Sequence, residues 1–114
     1  MRQELDRTLA ALADPTRRQV IEMLGSGPRR AGELAEAFGA SPPAMSRHLR
    51  VLRREGLVED ERQHDDARVR MYRLRPDRLR ELSEWLRRME AFWTDQLGSF
   101  ASHVESREKE GADR

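Results

Sequence analysis

Only two residues, Gly39 and Ala40, separate one short amphipathic segment (residues 31–38) from the next (residues 41–55). A joint that short, opened by glycine, holds two helices packed at a steep angle, which is helix-turn-helix spacing. The first segment turns Leu34, Ala35 and Phe38 to one side and stops at Gly39. Its start is weak, because Arg30 stands where a Ser or Thr cap is expected. The second is capped by Ser41, carries Pro42 in its first turn and ends at Gly56. At 100° per residue, Met45, Leu49 and Leu52 form an apolar stripe with His48 on its flank, while Pro43, Arg47, Arg50 and Arg54 fall opposite.

Upstream, Leu5, Leu9 and Leu12 recur at helical spacing over residues 3–13. Asp14-Pro15 then supplies a cap and an N1 proline for a helix to about Leu24, with Val20, Ile21 and Leu24 inward, before the break GSGP at 25–28. Downstream the period changes. Residues 57–62 and 68–74 are strand candidates around the turn-prone QHDDA at 63–67, which predicts a β-hairpin. Pro76 and Asp77 open a long helix whose stripe runs Leu79, Leu82, Leu86, Met89 and Trp93, continuing through Leu97, Phe100 and Val104 after one slipped step. The expected fold is mostly α with a small β-hairpin wing: a winged helix-turn-helix in the order α-α-α-α-β-β-α. One DNA-binding and dimerisation domain is expected over residues 1–97, with a helical extension and a disordered tail, SREKEGADR, over 98–114.

With 114 residues, the chain buries only about two-thirds of the surface its unfolded form exposes, so a partner chain is expected to help stabilise it. The last helix carries Trp85 and Phe92 off its stripe, more apolar surface than one small domain covers. Pairing through the first and last helices would bury it, using Leu5 and Leu9 from one and Leu82, Trp85, Leu86, Met89 and Trp93 from the other. Two alternatives stay open: intramolecular packing of that surface, or a ligand pocket lined by Trp and Phe. A two-fold dimer would set its second helices about 34 Å apart, one turn of DNA. No apolar run approaches the roughly 18 residues needed to span a bilayer, so no membrane association is expected and the cytoplasm is the expected compartment.

The net charge of +1 hides a segregation. Residues 41–80 hold eleven arginines against seven acids, whereas 104–114 hold four acids against three bases. Arginines on the exposed side of the second helix of a helix-turn-helix, followed by Arg62, Arg68, Arg70 and Arg73 on the hairpin, point to double-stranded DNA. A helix fits the roughly 12 Å major groove, where arginine binds guanine bidentately. Ser41, Pro43, Ala44, Ser46 and Arg47, at the helix start, are the expected base-facing positions. Arg50, Arg53 and Arg54 are expected on phosphates, Arg68 and Arg70 on the backbone beside the wing, and His48 as a hydrogen-bonded structural residue or a phosphate contact.

Three stretches carry a family resemblance: ALADPTRRQVIEML at 11–24, RRAGELAEAFGASPPAMSRHLRVLRREGLVE at 29–59 and RMYRL at 70–74. Together they resemble the winged helix-turn-helix regulators of the ArsR (arsenic-repressor-like) family over about residues 5 to 95. The ADPTR opening and the S-x-H-L-x-x-L-x-x-x-G-L-V run from Ser46 to Val58 are its most specific parts. The resemblance implies a homodimeric bacterial transcription factor, usually a repressor, dimerising through its first and last helices.

Many such regulators sense metals through cysteines on the third helix or through carboxylates and histidine on the last. This chain has no cysteine, and near the single histidine of its last helix, His103, stand only Asp95 and Glu105. A tetrahedral zinc site wants about four ligands, so no metal and no cofactor are expected. His64 with Asp65 and Asp66 is explained by turn chemistry. SEWLRRMEAFWTDQL at 83–97 is similar to a cysteine-free subgroup whose effector, a small molecule or a protein, the residues do not name. With no nucleophile-base set, phosphate loop or H-E-x-x-H, no enzyme is expected. The function expected is a sequence-specific DNA-binding transcriptional regulator, a repressor acting as a homodimer; the alternative is a protein-interaction or dimerisation module of the same fold that no longer reads DNA.

Overall fold

The structure, a computed structural model, describes residues 2–63 and 66–112; the side chains of 63, 66–68, 99–103, 106 and 108–112 are not among those described. The elements are α1 (Arg2–Ala11), α2 (Pro15–Leu24), β1 (Arg29–Arg30), α3 (Ala31–Ala37), α4 (Pro42–Arg54), β2 (Val58–Gln63), β3 (Asp66–Leu74) and α5 (Asp77–Ala112). Two compact units divide the chain, Met1–Leu82 and Ser83–Arg114.

In the first unit the core is built where the apolar spacing predicts. Val20 and Leu24 of α2, Leu34 and Ala35 of α3, Met45, Leu49 and Leu52 of α4, and Leu57 and Val58 at the entry to β2 are all buried. Ile21 and Phe38, expected inside, are half-buried against this cluster. Both helices of the helix-turn-helix end the same way. Gly39 (φ 62°) and Gly56 (φ 76°) take the left-handed conformation. The next amides, of Ala40 and Leu57, then donate back to the carbonyls of Ala35 and Leu52 at 2.9 Å. This closure satisfies carbonyls that a helix end leaves orphaned, and glycine alone adopts it without steric cost.

The α1–α2 corner is closed by the polar residues of ADPTRR. Asp14 caps α2 by accepting from the Arg17 amide at 3.0 Å. The Arg17 and Arg18 side chains turn back onto the end of α1 and the turn that follows it, donating to the carbonyls of Ala11 (2.6 Å) and Leu12 (2.7 Å) respectively. The missing cap of α3 is supplied from inside the helix: the Glu33 carboxylate accepts from the Arg30 amide at 3.3 Å. At the first turn of α5, Arg78 reaches Glu4 of α1 at 3.0 Å.

Two features depart from expectation. The wing is the larger part of a three-stranded antiparallel sheet in the order β1-β3-β2, with Arg29 opposite Tyr72 and Arg30 opposite Met71. A two-residue strand has no period to detect. The last helix runs to Ala112, so the tail expected to be disordered is helical through that residue. In the second unit Trp85 and Met89 are half-buried, and Leu86, Phe92, Trp93, Leu97 and Val104 are exposed. In the first, Leu5 and Leu82 are half-buried and Leu9 is exposed.

Leu52 is fully buried, so Leu52→Ala is expected to destabilise the fold by about 3 kcal/mol in urea titrations. Asp14→Ala removes a cap and should cost about 1 kcal/mol at neutral pH. The Arg17 amide hydrogen bond, aided by the charges of His48 and Arg17, holds the Asp14 carboxyl below its ordinary 3.8. A lowered folded-state pKa gives stability that is fully present above the unfolded value and lost as pH falls. The gap between wild type and Asp14→Ala should therefore close as pH drops through 3.8 and below.

Candidate nucleic-acid interface

Packing of Met45, Leu49 and Leu52 fixes which side of α4 faces out. Ser41 caps the helix through a 3.3 Å bond from the Ala44 amide to its Oγ, in extended backbone (φ −68°, ψ 152°). From that start Pro43, Ser46, Arg47 and Arg50 share the exposed side, Ser41 stands exposed at the cap, and Ala44 is half-buried. Among the described residues neither Arg47 nor Arg50 has an ion-pair partner, so both guanidinium groups stand free at the surface.

Arg62 of β2 is exposed and likewise has no ion-pair partner among the described residues, whereas most of the other candidates are engaged. Arg54 pairs with its neighbour Glu55 at 2.9 Å. Arg53, at 3.1 Å, and Arg70 of β3, at 3.4 Å, share the carboxylate of Asp60. Arg73 pairs with Glu61 across the hairpin. His48 flanks the buried stripe as its spacing implies, with Nδ1 3.9 Å from the Asp14 carboxylate of α2. The side chain of Arg68 lies outside the described residues, as do His64 and Asp65 and the side chain of His103. Of the ten positions expected to meet DNA, Pro43, Ser46, Arg47 and Arg50 thus share one exposed face of α4, Ser41 stands exposed at its cap, and Arg70 is joined to α4 through an acid.

Asp60 is the residue that motif reasoning passed over. Its signal was the alternation of β2. Val58, Asp60 and Arg62 share one side of the strand, and Val58 is in the core, so an acid two residues on is aimed toward α4. The described residues hold no group of three or more His, Cys, Asp or Glu able to bind a metal ion. No described helix is long and apolar enough to cross a membrane.

Residues 14–60 match the model of a family described as bacterial regulatory protein, arsR family. The chain is 42% identical over 101 residues to the HTH-type transcriptional regulator Rv2034 of Mycobacterium tuberculosis, covering 89% of each chain. The chain belongs to the ArsR family. A second relative, the transcriptional repressor SdpR of Bacillus subtilis, is 30% identical over 82 residues, 72% of this chain and 88% of that one. The solved structure of an ArsR-like transcriptional regulator from Rhodococcus sp. RHA1 superposes with a TM-score of 0.70 at 32% identity, covering 86% of this chain and 90% of that one. This ArsR-family chain is accordingly a DNA-binding transcriptional regulator and not an enzyme, and the interaction-module alternative is not favoured.

Proposed function

We propose that the chain is a cytoplasmic repressor that occupies its operator as a homodimer, with α4 in the major groove and the wing beside the backbone. The observation that carries this reading is the free pair Arg47 and Arg50 on the exposed side of a helix whose opposite side is locked into the core. Arg47 and Ser46, near the helix start, are assigned to base edges, with Ser41, Pro43 and Ala44 around them. Arg50 is assigned to phosphate, and Arg54 and Arg68 flank the duplex. His48 acts through its place between α4 and α2.

Dimerisation is assigned to a second copy of the chain. Leu86 is 50% exposed and Trp93 57% on the second unit, and Leu9 is 41% exposed on the first. On each unit by itself such area, with half-buried Trp85 and Met89 on the second and Leu5 and Leu82 on the first, fits burial against a second copy of the chain. The name of the B. subtilis relative supports repression as the sign of regulation.

Gel-shift titration of the chain on the DNA upstream of its own gene tests the reading. Binding at about 10⁻⁸ M or tighter, weakening steeply with salt, is expected; binding indifferent to salt would sink it. Arg47→Ala should lower affinity for the bound sequence by about 1–3 kcal/mol and relax preference there. In sedimentation, the wild type should run as a dimer and Leu86→Glu or Trp93→Glu as a monomer. A monomeric wild type at micromolar concentration would refute the assembly.

A further inference from the structure

The two arginines that join the wing to the recognition helix do so through a carboxylate, and that is a costly residue to place beside a polyanion. Asp60 is the only acid among the described residues on its side of the sheet. Val58, Asp60 and Arg62 of β2 and Arg70, Tyr72 and Leu74 of β3 share that side, while Glu59 and Glu61 point the other way. Its side chain is only 10% exposed, with Oδ1 3.1 Å from Nε of Arg53 and Oδ2 3.4 Å from an Nη of Arg70. Each carboxylate oxygen thus takes one guanidinium, one from the helix and one from the wing. Beside this bridge a cleft of about 220 Å³, lined by Ser46, Leu49, Arg50, Arg53, Arg70 and Tyr72, opens between the two elements. Val58, Tyr72 and Leu74 pack the base of the sheet against the core shared with α4; beyond that packing, the ion bridge spans the cleft.

We propose that Asp60 is a positioning residue for DNA recognition, which fixes the spacing of α4 and the wing and keeps Arg53 and Arg70 off the phosphates. The inference rests on the reading that α4 and the wing meet DNA. The side chains of Arg53 and Arg70, 57% and 41% exposed, lie near enough to the surface to reach phosphate once released. The carboxylate thereby trades sequence-blind attraction for a defined geometry, which is where discrimination between sequences originates.

The test compares wild type, Asp60→Asn, Asp60→Glu and the charge control Glu59→Gln on a random-sequence duplex and on the upstream duplex of the gel-shift experiment. Circular dichroism checks each fold. Each phosphate newly neutralised steepens the log-log salt slope by about 0.9, so Asp60→Asn should make the fall in random-duplex affinity between about 50 and 200 mM salt about tenfold larger. Its preference for the upstream duplex should drop by about tenfold. Asp60→Glu and Glu59→Gln should keep the wild-type preference. A folded Asp60→Asn protein with the wild-type slope and preference overturns the proposal, because a purely structural role would alter stability alone. Should Asp60→Asn not fold, Arg53→Gln decides: Asp60 stays paired with Arg70 and the slope is expected unchanged, whereas a slope shallower by about one places Arg53 on a phosphate and overturns it. Failure of the wild type to bind either duplex in a salt-dependent way is a distinct result, which removes the DNA reading itself.

Discussion

Burial of Met45, Leu49 and Leu52 fixes the rotation of α4 about its own axis, and every feature of the exposed side follows from that rotation. Each of these side chains contributes roughly 2 kcal/mol on leaving water. A surface ion pair contributes about 0–1 kcal/mol. No arrangement of charges on the outer side of α4 competes with the inner stripe, so Arg47 and Arg50 are presented outward whether or not they have a partner there. The recognition surface is therefore preorganised by the core rather than assembled by contact with a ligand, and binding need not bear the cost of orienting it.

The joints make that core possible in so short a chain. Each helix end leaves several backbone groups without partners, and a core assembled from segments of seven to thirteen residues has many ends. Here the ends are satisfied locally: Asp14, Ser41 and Glu33 at N-termini, Gly39 and Gly56 at C-termini, and Arg17 and Arg18 over the carbonyls at the end of α1 and in the turn that follows it. The ADPTRR stretch at 13–18 thus has a physical content. Its acid starts one helix and its arginines finish the helix before it, which makes the corner self-sufficient.

These devices were legible because they are local. Ser41-Pro42, Asp14-Pro15 and the two glycines each announce an end through a single residue's chemistry, and the three-four spacing of α4 names its buried side without tertiary knowledge. What escaped the sequence is non-local. The pairing of Arg29 and Arg30 with β3 joins residues some forty positions apart with no period of its own. The continuation of α5 to Ala112 runs through a stretch whose polar composition suggests fraying. The alternation of β2 aims Asp60 toward α4, but which arginines of two other elements its side chain meets is set only by the folded arrangement.

That difference changes how the basic charge of the chain is understood. Residues 41–80 carry an excess of arginine, and counting alone treats each as a potential phosphate contact. The folded arrangement separates them into two kinds. Arg53, Arg54, Arg70 and Arg73 have acids beside them, so their charge is largely cancelled at the distance of an approaching duplex. Arg47, Arg50 and Arg62 of β2 have none among the described residues, and Arg47 and Arg50 lie on the side of α4 that packing turns outward. Since attraction to DNA scales with the cations left to displace counterions, and not with the number of basic residues, the field is strongest on the early part of α4, with Arg62 adding to it from the wing. A chain of net charge +1 can then favour specific over indiscriminate binding, because its strongest local charge stands where bases are read.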